Sequence, residues 1–239
     1  MGKIICIIVL ILWTTAGLQG QQKIKGSGYV LTQQREVAYF NSIIVSSQIS
    51  VYIVQGEFQP ITVEADNNLF PYIKTVVRNK TLKIYVPDTV NITRFADMNV
   101  LISMPHLSTL IARQSSYIDG SPQKWETEEV TLKAASGSRI KLATDATTIT
   151  VDGKTSATVE LKGKTDKLTT ELTTGAKLIA RELETEKADL ELATRARAEV
   201  RVNQQIAYDL SGNARLVIKG DPKVLKAEVN SGSKVTRDK

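Results

Sequence analysis

From residue 130 onward apolar and polar positions alternate with period two, and the whole pattern recurs about every nineteen residues. Val130, Ile149, Leu168, Ala188, Ile206 and Leu225 form one column, at spacings of 19, 19, 20, 18 and 19. Two residues on stand Leu132, Val151, Thr170, Leu190, Tyr208 and Ala227, and two further Ala134, Gly153, Leu172, Leu192, Leu210 and Val229. Period two predicts a strand with one buried face. Helices are excluded, because positions i, i+2 and i+4 do not share a helical face.

Each copy carries a second strand in the same register. Its inward columns are Ser138, Ala157, Ala176, Ala196, Ala214, Ser233; then Ile140, Val159, Leu178, Ala198, Leu216, Val235; then Leu142, Leu161, Ala180, Val200, Ile218, where Arg237 ends the apolar run. Between the two strands one column reads Ser136, Thr155, Thr174, Thr194, Gly212, Ser231 and the next Gly137, Ser156, Gly175, Arg195, Asn213, Gly232. Gly and Asn tolerate positive φ, so a sharp bend is expected there, with the Ser/Thr column free to hydrogen-bond along the stack. One such coil cannot bury its own apolar face. Stacked coils, about 4.8 Å apart, can. The fold class expected is all-β, a parallel β-helix or β-solenoid of about nineteen residues per coil, right-handed as parallel crossovers are.

Residues 37–118 alternate less regularly. Ile43 and Val45, a bend at Ser46–Ser47, then Ile49, Val51 and Ile53 predict one coil. Further short strands are predicted around Ile61–Ala65, Ile73–Val77, Leu82–Val86, Val100–Met104 and Leu107–Ala112. Residues 119–129, with Gly120, Pro122 and three glutamates, read as a loop or insertion between the halves. Residues 21–36 are polar and read as a loose leader. The solenoid domain is thus placed at 37–239, with irregular coils at 37–118 and regular coils at 130–237.

Met1–Gly20 has the form of a secretory signal peptide. Lys3 is the positive n-region, Ile4–Trp13 the apolar stretch, and Ala16, Gly17 and Gly20 supply small residues for cleavage. The stretch is short for about 30 Å of hydrocarbon, so no membrane-spanning segment is expected after cleavage. Cys6, the sole cysteine, lies inside this segment and not at the cleavage point of a lipoprotein. The mature chain then has no thiol for a disulfide, a nucleophile or a zinc site, and no cofactor is expected. A secreted, periplasmic or cell-envelope location follows.

With 239 residues, 42% hydrophobic and 23% charged, the chain is long enough for a sizeable core and is not disordered. Its +6 net charge comes from 31 Lys and Arg against 25 Asp and Glu, too balanced to point to nucleic acid. Distribution matters more than total. The outward column Arg139, Thr158, Lys177, Arg197, Arg215, Lys234 is cationic at five of six places. On the other strand Lys133, Asp152, Glu171, Glu191, Asp209, Glu228 is anionic at five of six. If the coils stack, Arg139, Lys177, Arg197, Arg215 and Lys234 form a basic ladder for an anionic glycan. Asp152, Glu171, Glu191, Asp209 and Glu228 form an acidic ladder for cations or a protein partner. The plainer alternative is a solvated surface whose ladders neutralise each other around the bend.

Other chemistry is thin. His106 follows Pro105 between apolar stretches and has no second histidine to share a metal. Asp145, Asp152 and Asp166 leave room for a carboxylate pair. Trp125, the one tryptophan after residue 20, is either a stacking contact for a sugar or a buried anchor for the insertion. Neither a glycine-rich phosphate loop nor a nucleophile elbow is present.

The stretches FNSIIVSSQISVYIVQG (Phe40–Gly56), NLFPYIKTVVRNKTLKI (Asn68–Ile84) and VLISMPHLSTLIARQSSYI (Val100–Ile118), with the repeated Ser/Thr-Gly bends after residue 130, resemble the "putative auto-transporter adhesin, head GIN domain" family of Bacteroidetes envelope proteins. The likeness covers roughly residues 37–235. That family often has Gly-Ser-Gly at the first bend, where this chain has Ser46–Ser47. The resemblance implies a non-catalytic, adhesin-like protein presenting a solenoid surface to a glycan or another envelope protein. It brings no catalytic residues. The rival readings are a β-helix polysaccharide lyase or hydrolase, which needs acids and bases converging in a groove, and an assembly protein that oligomerises through open solenoid ends.

Overall fold

A computed structural model describes residues 21–238. The expected signal peptide lies outside the described residues. Among them no helix is long and apolar enough to cross a membrane. The chain there is built of strands and turns. The irregular half contains β1 (Gln22–Lys25), β2 (Val30–Arg35), β3 (Ser42–Val45), β4 (Ser50–Gln55), β5 (Ile61–Asp66), β6 (Lys74–Arg78), β7 (Thr81–Tyr85), β8 (Val90–Arg94), β9 (Met98–Met104) and β10 (Thr109–Ala112). The regular half contains β11 (Tyr117–Ala134), β12 (Arg139–Gly153), β13 (Thr158–Leu172), β14 (Lys177–Leu192), β15 (Arg197–Leu210), β16 (Arg215–Lys219), β17 (Lys223–Val229) and β18 (Lys234–Asp238).

The regular half is a parallel β-solenoid of about nineteen residues per coil. Each of β12–β15 runs along one face, turns a corner and returns along the other. Leu178 is registered between Val159 and Ala198, with Ile140, Leu216 and Val235 continuing the column. These inward side chains are buried down to the last coil, because each coil covers the one below. At the bend two successive residues take positive φ in each copy, such as Ser136 (55°) with Gly137 (71°) and Thr174 (52°) with Gly175 (74°). The hydrogen bonds along the bends are made by backbone and not by the Ser/Thr side chains. The Gly137 N–H donates to Thr155 O (3.0 Å), Ser156 to Thr174 (3.0 Å), Gly175 to Thr194 (2.9 Å) and Arg195 to Gly212 (2.8 Å). Left-handed backbone at both bend positions aims these N–H groups along the stack.

Three sequence readings need correction. Residues 119–129 are strand, not loop. β11 runs through them, and only the corner differs: Gly120 pairs with Leu142 but Trp125 with Thr144, so three extra residues widen one turn. The polar leader is also strand. β1 pairs in parallel with β8, and β2 pairs antiparallel with β5. The Arg35 guanidinium donates to the carbonyls of Ile73 (2.6 Å) and Phe70 (3.0 Å), closing the end of the core. Most of the other β2 side chains are exposed, which hides the strand from hydrophobic periodicity. Finally, Val224 and not Leu225 lies beside Ile206, because the register slips by one residue after Ile206. Leu225 is left 58% exposed.

In the irregular half, β3 and β4 make the predicted coil, with positive φ at Ser47 and Gln48, one residue later than read. Spatial order departs from chain order there. One face runs β2, β5, β9, β4, β11; the other runs β6, β7, β3, β10, β11. Pairings become antiparallel at both outermost steps (β2–β5–β9 and β6–β7). Asp66, fully buried, ties this end together. It accepts N–H bonds from Gly28 (2.8 Å), Ala96 (2.9 Å) and Asp97 (3.3 Å).

Candidate functional site

Register turns the two charged columns into real ladders. Arg139, Thr158, Lys177, Arg197, Arg215 and Lys234 are successive partners from β12 to β18 on one face. Period-two alternation with Ile140, Val159 and Leu178 pointing inward sends these side chains outward. On the opposite face Lys133, Asp152, Glu171, Glu191, Asp209 and Glu228 are likewise successive partners. Steps of about 4.8 Å make neighbouring like charges repel by about 1 kcal/mol or less in water.

The ladders differ in their partners. Among the described residues the five basic-ladder cations make no ion pair. Two residues further along the same face, Lys141 pairs with its registered neighbour Glu160 (3.5 Å). The acidic ladder is partly neutralised: Lys154, at the bend, reaches Asp152 (3.3 Å) and Glu171 (3.8 Å), and Lys226 reaches Glu228 (3.0 Å). The two ladders therefore do not neutralise one another. Like the basic ladder, the acidic ladder is a line and not a cage. Among the described residues no group of three or more His, Cys, Asp or Glu side chains converges to hold a metal ion.

At its head the basic ladder meets a cluster that the sequence reading missed. Tyr117 is registered between Ser50 and Arg139. Its hydroxyl donates to Asp119, whose carboxylate also accepts from the Ser121 N–H (2.9 Å) and hydroxyl (2.6 Å). Burial, then the bond to Asp119, pushes the Tyr117 phenol well above its ordinary pKa. Burial alone would raise Asp119; the donated bonds from Ser121 and Tyr117 outweigh it and hold the carboxylate below its usual range. Tyr52 packs edge-on against Tyr117, with ring centroids 6.2 Å apart. Beside it Leu101 and Val54 are exposed. Only the out-of-order pairing of β4, β9 and β11 brings these residues together.

The remaining candidates do not converge. Trp125 is fully buried at the widened corner, so it is an anchor and not a stacking surface for a sugar. Asp145 pairs with Lys124 at 2.6 Å. His106 is exposed on the turn after β9.

A family model described as "Putative auto-transporter adhesin, head GIN domain" matches residues 39–222. The chain belongs to that family. Its fold is shared by crystal structures of three proteins described as putative adhesins. One, from Bacteroides fragilis NCTC 9343, is 15% identical with a TM-score of 0.78, over 90% of this chain and 99% of that one. A second, from Parabacteroides merdae ATCC 43184, is 16% identical with a TM-score of 0.72, over 91% and 100%. A third, from Parabacteroides distasonis ATCC 8503, is 19% identical with a TM-score of 0.67, over 91% and 100%. At these identities the likeness is one of fold. No curated protein matches the sequence. The head GIN domain chain is thus adhesin-like in family and solenoid in fold.

Proposed function

We propose that this head GIN domain protein is a non-catalytic adhesin of the cell envelope or exterior, and that its basic ladder binds an anionic polysaccharide. One observation carries the reading. Arg139, Lys177, Arg197, Arg215 and Lys234 stand in a single strand-spaced column with no carboxylate partner among the described residues, while Lys141 two residues along is paired with Glu160. A polymer bearing sulfate or uronate groups presents anions along a line, which a ladder meets at several places at once. Tyr117 and Tyr52 at the ladder's head offer ring faces for sugar stacking. The adhesin family supports an external location. Acids tied into ion pairs or spread along strands favour binding over turnover.

The test is retention on immobilised heparin and on polygalacturonate. Reversing Lys177, Arg197 and Arg215 to glutamate is expected to abolish low-salt retention. Reversing the ion-paired Lys141, Lys162 and Lys164 should leave much of it. A ladder variant that elutes with the unaltered protein refutes the reading, and turnover of either polymer refutes its non-catalytic part.

A further inference from the structure

The outward column that becomes the acidic ladder changes character in the irregular half. Before Asp152 it reads Lys133, Ile111, Ile44 and Lys83 in spatial order. Beside Ile44 and Lys83 the surface dips into a cleft of about 550 Å³, within the size range of small-molecule sites. Val76, 37% exposed, and Ile44 give the cleft apolar walls. Arg78, Lys83 and Arg113 reach it from β6, β7 and the end of β10, and Asp88 is the only acid lining it. None of the three cations makes an ion pair or a side-chain hydrogen bond among the described residues. Three cations against one carboxylate leave two positive charges unmatched.

We propose that this cleft binds an amphipathic phosphate monoester, with its apolar group on Val76 and Ile44 and its head group among Arg78, Lys83 and Arg113. A phosphate monoester carries about −1.5 to −2 charge at neutral pH, which matches the surplus. Guanidinium forks suit its oxygens better than point charges do. An inorganic ion would leave the apolar walls wet, and a neutral amphiphile would leave the cations unmatched. The site lies on the face opposite the basic ladder and is independent of polysaccharide binding.

The test follows the methyl signals of Val76 and Ile44 in the full chain by NMR during titration with hexyl phosphate. Saturable shifts are expected, with inorganic phosphate binding at least about tenfold more weakly for want of the buried methylenes. Lys83→Glu and Arg113→Glu, both on exposed side chains, should weaken hexyl phosphate by about tenfold or more. Val76→Ser should weaken hexyl phosphate and leave inorganic phosphate unchanged. Phosphatidylcholine vesicles doped with phosphatidic acid distinguish the sources. Co-sedimentation lost in Lys83→Glu supports the proposal with a lipid head group as ligand. Hexyl phosphate binding without vesicle binding supports it with a free amphiphile. Unshifted methyls, or equal binding by an Arg78/Lys83/Arg113 triple glutamate variant with native-like circular dichroism, overturn it. The ladder variant should bind hexyl phosphate normally, so either proposal can fail alone.

Discussion

The two halves of the solenoid handle charge in opposite ways. Every ion pair among the described residues falls at or beyond Lys124. Several join directly registered neighbours, as Lys162 joins Glu182 (3.1 Å) and Arg201 joins Glu184 (3.1 Å). In the irregular half cations stand without carboxylate partners around clefts, and its buried acid is held by backbone N–H groups instead. Repetition explains the difference. A fixed register places each side chain above its counterpart, so opposite charges that share a column pair directly and like charges that share one form a ladder. Where β3, β7 and β10 come together out of chain order, the register is set by separate segments, and concavities remain between them. Among the described residues of the regular half, the five cations of the basic ladder make no ion pair. In the irregular half the cleft at Lys83 is lined by segments far apart in the chain.

That contrast can be broken most severely inside the regular stack. Leu178→Asp buries an unpaired charge between Val159 and Ala198 and should cost about 4 kcal/mol or more. Urea unfolding reads it directly, and an unchanged midpoint would contradict the stacked core. Gly163→Ala comes next. Gly163 sits at the corner with φ of 110°, and a Cβ there would lie 2.1 Å from the Thr144 carbonyl oxygen. Backbone must move, at a cost of about 2–3 kcal/mol, while alanine at the exposed Gly28 should cost less.

Asp66 gives the matching break in the irregular half. Asp66→Ala strands the N–H groups of Gly28, Ala96 and Asp97 and should cost about 2 kcal/mol, with faster hydrogen exchange at those three amides and little change in β13–β15. Burial pushes the Asp66 carboxyl up, but these N–H bonds outweigh it and hold its pKa below the ordinary value. A lowered folded-state pKa means the contribution is complete above the unfolded value of about 4 and is lost as pH falls through the folded one. Acid exchange should therefore open the irregular half first. The smallest effect belongs to the exposed ion pairs. Lys162→Ala should change stability by about 0.5 kcal/mol or less.

Legibility in the sequence followed the same division. The columns through Leu178 and through Arg197 could be read because six copies repeat one pattern, and the basic ladder came with them. Leu225 was misplaced because a one-residue slip leaves hydrophobic neighbours Val224 and Leu225 equally suited to the pattern. β2 was missed because Arg35, which closes the core end, is polar and most of the strand's other side chains are exposed, leaving no buried face to set a period. The Tyr52–Tyr117 pair and the cleft at Lys83 could not be read at all, since their strands meet through long-range pairings that leave no local period.

The central claim is that Arg197 and Arg215 are vertical neighbours in one ladder. In a Cys6→Ser background, a cysteine pair at 197 and 215 should close a crosslink with a bifunctional thiol reagent spanning about 5 Å, because registered strands lie about 4.8 Å apart. A pair at 197 and 219, displaced four residues along the strand, should not close. Crosslinking at 197 and 219, or none at 197 and 215 in a folded protein, would contradict the account.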